Sequence, residues 1–81
     1  MNDRKCCEEI LYLIGGYNRS RNLTAKQITE MIKTFADIDT CLAKGRPTSA
    51  KYLIEQLKID GEILTQELYD LVMKAFARYK I

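Results

Sequence analysis

The stretch Leu23-Thr24-Ala25-Lys26-Gln27-Ile28 predicts the start of the helix on which we expect the rest of the chain to pack. The Thr24 hydroxyl can cap this helix, and Gln27, three residues later, can reach back and complete a capping box. Leu23 lies before the cap and Ile28 lies in the first turn, so the two can form a hydrophobic staple that fixes the angle at which the chain enters the helix.

Apolar residues continue from this start at helical spacing, and they are Ile28, Met31, Ile32, Phe35, Ile38 and Leu42. Their pattern predicts one buried stripe along a helix at 24–44, which Gly45 and Pro47 end. The pattern covers only about two heptads, which favours a helical bundle over a coiled coil. Asp37 and Thr40 mark the place where a bend is expected, because Asp and Thr compete locally for backbone hydrogen bonds.

Three further helices are predicted, at 3–15, 48–59 and 65–80. Gly15-Gly16 is expected to end the first, since glycine readily adopts the left-handed conformation found at helix ends. Pro47 suits the first turn of the third helix, and Thr65 can cap the fourth. The fold class is therefore all-α, a compact four-helix bundle in a single domain that covers 1–81.

The second and fourth helices begin alike, which suggests two stacked helical hairpins. At a constant offset, Leu23, Thr24, Lys33 and Phe35 match Leu64, Thr65, Lys74 and Phe76. A duplicated hairpin explains this match, and so does the chemistry that two helix starts share.

The composition limits the classes of partner and compartment. The 81 residues carry 13 basic and 11 acidic side chains, a net charge of +2, without the basic excess typical of a nucleic-acid binder. Three cysteines give no disulfide framework and favour a reducing compartment. Since the sequence shows no signal-peptide pattern and no membrane-spanning apolar run, we expect a cytoplasmic protein without a membrane partner.

The residues that most catalytic sites need are missing or poorly placed. The chain has no histidine, which removes the usual general base and most zinc sites. Cys6 and Cys7 are adjacent, so on a helix their side chains diverge by about 100°, and we expect one in the core and the other in solvent. The sequence therefore predicts no enzyme, no cofactor and no metal site.

Asp60-Gly61-Glu62-Ile63, followed by Glu67-Leu68, resembles the second half of an EF-hand loop. The resemblance implies ligand positions at Gln56, Lys58, Asp60, Leu64 and Glu67, with the carbonyl group of Glu62. Lys58 would place a cation where calcium needs an anionic oxygen, and Gln56 replaces the opening carboxylate. This alternative is therefore a degenerate EF-hand-like module that binds no metal.

The Leu-Thr-x-x-x-Ile motif at 23–28, residues 46–57 and Gly61-x-Ile63 together resemble helix-turn-helix proteins. The resemblance implies that Ser49, Lys51, Tyr52 and Gln56 face the major groove while Arg46 and Lys58 contact phosphates. Two features depart from the family: the second helix is long, and residues 65–80 are helical where a winged protein has strands. DNA binding through the helix at 48–59 is the main alternative function.

Tyr12, Tyr69 and Met73 lie off the main apolar stripes and could form a protein-binding surface. Tyr and Met are favoured at recognition surfaces because they offer large and adaptable contacts. The same three residues could instead complete the core. The preferred prediction is a small regulatory or adaptor protein that acts by stoichiometric binding, without catalysis, to another protein or to a second copy of itself.

Overall fold

Four α-helices make up the regular secondary structure of residues 2–81, the part of the chain that this computed structural model describes. They are α1 (Asp3–Ser20), α2 (Ala25–Ala43), α3 (Pro47–Gln56) and α4 (Gln66–Arg78). No strand occurs in this part of the chain, and the molecule measures 37 × 22 × 21 Å. The predicted all-α, compact four-helix bundle is confirmed.

Helix α1 does not end at Gly15-Gly16, as the sequence predicted, but continues through both glycines to Ser20. Neither glycine adopts a positive φ angle. A glycine inside a helix costs roughly 0.5–1 kcal/mol relative to alanine. Extending the helix buries Asn18 and half-buries Tyr17 against the core, and such tertiary packing can outweigh the local propensity. The chain turns only at Asn22, where φ is 51°.

Helix α1 packs against all three other helices, and so does α3. Helix α2, which the sequence predicted to be the central rod, contacts α1 and α3 but not α4 among the described residues. Because α1 has neighbours on more than one side, Cys6 and Cys7 are both buried. The expectation that one of these two cysteines faces solvent is therefore wrong.

The end of α1 is held against the start of α4 by side-chain contacts. The Tyr17 hydroxyl donates to a Glu67 carboxylate oxygen at 3.0 Å and accepts from the Thr65 hydroxyl at 2.9 Å. The Arg21 guanidinium donates to the carbonyl oxygens of Gly61 and Glu62 and lies 5.6 Å from the centre of the Tyr17 ring. These contacts hold the end of α1 against α4 and the turn before it, and none of them involves α2.

The helix caps predicted at Thr24 and Thr65 are confirmed, whereas Asn2, at the start of α1, makes no side-chain capping hydrogen bond. Thr24 and Gln27 form a reciprocal capping box at the start of α2, and the Thr65 hydroxyl accepts from the amide of Leu68 at the start of α4. Helix α2 ends in a Schellman motif in which Gly45 has φ 68° and the amide of Arg46 donates to the carbonyl of Cys41. Pro47 occupies the first turn of α3, as predicted.

The other helix boundaries differ by a few residues from those predicted. Helix α3 ends at Gln56 rather than at residue 59, because Leu57 adopts an extended conformation with ψ 141°. Helix α2 does not break at residues 37–40, where the Thr40 hydroxyl donates to the Ala36 carbonyl without interrupting the helix. Helix α4 ends at Arg78, and the left-handed Lys80, with φ 60°, follows it.

The two kinds of glycine in this fold should respond to alanine in opposite directions. Gly16→Ala should raise the free energy of unfolding by about 0.5–1 kcal/mol, because an added Cβ meets nothing within 4 Å inside a regular helix. Gly45→Ala should lower it by about 1–2 kcal/mol, because the same atom at φ +68° strains the backbone. Urea unfolding of both variants checks this, and two shifts of the same sign would contradict it.

Candidate protein-binding groove between α1 and α2

The apolar stripe of α2 is buried in its second half and exposed in its first. Phe35, Ile38 and Leu42 belong to the core, whereas Ile28 is 43% exposed and Ile32 is 60% exposed. The sequence predicted that the whole stripe would be buried, and for its first half this is wrong. The first half of the stripe stays exposed because α4 packs against α1 and α3 and does not contact α2 among the described residues.

Three adjoining depressions follow the line where α1 and α2 meet, and together we call them the α1–α2 groove. The largest, of about 370 Å³, is lined by Gly15, Asn18, Arg19, Asn22, Leu23, Ile28 and Met31. The next is lined by Leu11, Ile14, Gly15, Met31, Ile32, Phe35 and Asp39, and the third by Arg4, Glu8, Leu11, Leu42 and Ala43. This order shows that α1 and α2 run antiparallel. From residue 4 to residue 19, at 1.5 Å per residue, the groove is about 22 Å long.

Beside its buried stripe, α2 carries a second row of side chains, which we call the outer stripe and of which Ile32, Asp39 and Ala43 line the groove. Its members are Ala25, Thr29, Ile32, Ala36, Asp39 and Ala43, and all of them are exposed. They follow one another at intervals of four and three residues, which is the heptad spacing of a helix that packs along another helix. Small side chains in such a row allow the backbone of a second helix to approach closely.

Asn18 lines the largest depression and has a buried amide that lacks a hydrogen bond. The residue is only 2% exposed, and neither its side-chain nitrogen nor its side-chain oxygen has a partner among residues 2–81. An unsatisfied buried amide costs about 1–3 kcal/mol. A ligand in the groove that offers a polar group at this point would recover part of that cost.

Arg19 and Asp39 carry opposite charges and lie at different levels of the groove. Arg19 is exposed at the end near Ile28, and Asp39 lies beside Phe35, further along. Although the Asp39 side chain is exposed, the surrounding groove partly desolvates its carboxyl and raises the pKa of that group above its usual value. None of the side-chain hydrogen bonds or ion pairs found within residues 2–81 involves Asp39, whereas Arg4 and Glu8 form an exposed pair at 4.0 Å.

Tyr12, Tyr69 and Met73 differ in their exposure. Tyr12 is 74% exposed on α1, whereas Tyr69 and Met73 are half-buried on α4 and pack against the core. Tyr12 can therefore offer most of its side chain to a partner, and the other two can offer only part. A shared binding surface for the three remains a prediction.

Most side chains proposed to contact DNA are exposed. Ser49, Tyr52 and Gln56 lie on the exposed face of α3, with Arg46 before it and Lys58 after it. Lys51 is half-buried, and its ammonium group donates to the Ile81 carbonyl at 3.0 Å. Glu55 shares the exposed face with Tyr52 and would repel phosphates there. Residues 44–46 give the three-residue connection that the helix-turn-helix resemblance implies, although α2 spans 19 residues.

The segment that resembles an EF-hand uses its oxygens for internal contacts. A carboxylate oxygen of Asp60 accepts from the amides of Glu62 and Ile63, and these hydrogen bonds lower the pKa of that carboxyl. Glu67 accepts from Tyr17, and Leu64 is buried. Gln56 ends α3 and Lys58 is exposed. Residues 2–81 contain no cluster of three or more side chains that could hold a metal ion.

Reactive chemistry is suppressed at the two cysteines of α1. Burial, with smaller contributions from neighbouring acidic groups, raises the pKa of the Cys6 thiol to about 11, and burial also raises that of Cys7. The thiolate, which is the nucleophilic form, is therefore disfavoured at both positions. Cys41 is half-buried, and all three cysteines are free.

Comparison with known protein families, with curated proteins and with solved structures finds no match for this chain. Within the described residues, no helix combines the length and the apolar character that crossing a membrane requires. The fold and the groove define a small all-α protein with exposed apolar residues along the first half of α2.

The floor of the groove differs from the structure that the sequence predicted. The sequence placed Gly15 at the end of the first helix and Asn18 in the loop after it, because Gly15-Gly16 is a strong local stop signal. The outer stripe, in contrast, is readable in the sequence as a second heptad row next to the predicted core stripe. A helix with two such rows is expected to pack on two sides.

The unsatisfied amide of Asn18 gives a direct test of the groove floor. Asn18→Leu should raise the free energy of unfolding by about 1–3 kcal/mol at low protein concentration, because an apolar group of similar size removes the cost of the unpaired amide. Urea unfolding measures this change. The control variant Asn2→Leu, at an exposed residue whose side chain makes no capping hydrogen bond, should bring no such gain. A clear loss of stability in Asn18→Leu would show that the amide is satisfied.

Proposed function

We propose that this chain is a small helical regulatory or adaptor protein that acts by stoichiometric protein–protein binding in the cytoplasm, and that the α1–α2 groove receives an amphipathic helix. The observation that carries this proposal is the break in burial along one stripe: Phe35 is in the core while Ile28 and Ile32 are exposed. Adjoining exposed apolar side chains of this kind are typical of interaction surfaces.

The shape of the groove favours a helix as the occupant. Its length of about 22 Å matches roughly four helical turns. The outer stripe repeats with heptad spacing, so it fits the ridges of a second helix, and the occupant would present apolar residues at matching intervals. Opposite Asn18, the occupant would carry a polar side chain that can bond to the amide.

The chemistry of the chain supports binding without catalysis. The sequence has no histidine, and the two cysteines on α1 have raised pKa values. Free thiols are typical of proteins in a reducing compartment such as the cytoplasm, so they support that location. We place the binding surface in the groove rather than at Tyr12, Tyr69 and Met73, because the groove joins several exposed apolar residues.

Site-specific photo-crosslinking in cells tests this proposal. The crosslinker p-benzoylphenylalanine at position 32 should give one discrete adduct with one partner per chain, and Ile28→Asp in the same chain should abolish it, because the added charge cannot be buried. The matched control is the same crosslinker at Tyr52, on the exposed face of α3, which should give no such adduct. The absence of any adduct at position 32 would refute the proposal.

DNA binding by α3 is the second candidate function, and the three-residue connection together with the exposure of Arg46, Tyr52 and Lys58 favours it. If α3 binds duplex DNA, a gel shift should appear at low salt, weaken with added salt and weaken further in Arg46→Ala, since a phosphate contact is lost. The matched control is Lys33→Ala, a lysine of α2 outside this face. The absence of any shift at low salt would eliminate this candidate.

A further inference from the structure

We infer that the helix received by the α1–α2 groove is α2 of a second copy of this chain, bound antiparallel in a symmetric dimer whose two-fold axis passes near Ile32. This inference rests on the proposed function, since it names the occupant of the same groove. The outer stripe, the groove floor and the charges all support an antiparallel second copy.

The outer stripe is complementary to itself in the antiparallel direction. With the axis at Ile32, that residue faces its own counterpart, Ile28 comes opposite Ala36, and Ala25 comes opposite Asp39. On both sides of the central Ile32 pair, the larger side chain therefore meets an alanine, which allows two helices to interdigitate. A symmetric pair uses the same surface twice, so both copies cover their exposed stripe at once.

The groove floor provides space for the side chain at the centre of this contact. Gly15 and Met31 line two adjoining depressions, and Ile32 lines one of these with them, so Gly15 lies at the level of Ile32 in the groove. A Cβ atom added at Gly15 would meet nothing within 4 Å. In the antiparallel register, Ile32 of the second copy reaches this level and fills the space above Gly15.

The charges favour the antiparallel orientation over the parallel one. In the antiparallel dimer, Asp39 lies near the N-terminus of α2 of the second copy, where the helix dipole attracts an anion. Arg19, exposed at the same end of the groove, adds a positive charge. In a parallel dimer Asp39 would face Asp39, and two like charges would be held together.

The same orientation gives Asn18 a partner. Side chains of a helix lean toward its N-terminus, so Asp39 of the second copy leans toward the level of Ala36, which lies opposite Ile28. Ile28 and Asn18 line the same depression. The Asp39 carboxylate can therefore accept a hydrogen bond from the side-chain nitrogen of Asn18, which has no partner among residues 2–81.

The mass of the purified chain in solution tests the dimer. Sedimentation equilibrium should give twice the 9.4 kDa of one chain. Ile32→Asp should raise the dissociation constant of the dimer by at least about a hundredfold while circular dichroism still shows the same helix content, because Ile32 is already 60% exposed in a single chain. Tyr52→Asp, at a residue 61% exposed on α3, is the matched control and should leave the mass unchanged.

A charge exchange tests the orientation. Within one chain Arg19 lies beside Ile28, so about 16 Å of α2 separates it from Asp39 and the two cannot pair. Asp39→Arg and Arg19→Asp should each weaken the dimer by about tenfold, and the double variant should restore it, because the pair forms between copies. Failure of the double variant to restore the dimer would overturn this assignment.

Disulfide trapping distinguishes the two directions independently. In a Cys41→Ser background, Ile32→Cys should form a crosslinked dimer on mild oxidation, whereas Ala25→Cys alone should not, because only a parallel pair brings two copies of residue 25 together. Efficient trapping through Ala25→Cys would overturn the inference.

The outcomes also separate this inference from the proposed function. A monomer that forms a photo-adduct with a different protein at position 32 would overturn the second copy as occupant and leave the groove as a binding site. A monomer without any adduct would refute both.

Discussion

The burial of α1 on more than one side is the constraint on which the rest of the structure depends. Its core face includes Cys6, Ile10 and Ile14, and it packs against all three other helices. The Tyr17–Thr65–Glu67 contacts and the Arg78–Glu9 ion pair at 3.1 Å attach α1 to α4. A helix held along its whole length in this way can contain Gly15-Gly16, since packing outweighs the weak propensity of the two residues.

The packing order of the helices determines which part of the α2 stripe is buried and which part stays exposed. Because α4 packs against α1 and α3 and does not contact α2 among the described residues, it does not cover the first half of the α2 stripe. The second half is covered by α1 and α3, so Phe35, Ile38 and Leu42 are buried. The exposed surface is therefore a consequence of the packing order of the bundle. Its most specific features are the unsatisfied amide of Asn18 and the uncrowded Gly15.

The polar groups of the fold are used mainly for structure. Thr24, Gln27 and Thr65 satisfy the amides at helix starts, and Asp60 satisfies the amides of the turn before α4. Each of these side chains accepts a bond that the backbone would otherwise lack. Asn18 and Asp39 are the exceptions in the groove, and this is why the proposed occupant is defined by them as well as by apolar contact.

The sequence by itself determined the features that depend on neighbouring residues: the four helices, the capping box at Thr24, the cap at Thr65 and the end of α2 at Gly45. These depend on hydrogen bonds and backbone angles within a few residues, so local patterns specify them. Only the tertiary structure decided that α1 continues through Gly15-Gly16, that Cys6 and Cys7 are both buried, and that Ile28 and Ile32 remain exposed. Those outcomes depend on which helix packs against which, because burial is shared among elements far apart in the chain and amphipathic spacing does not specify the partner.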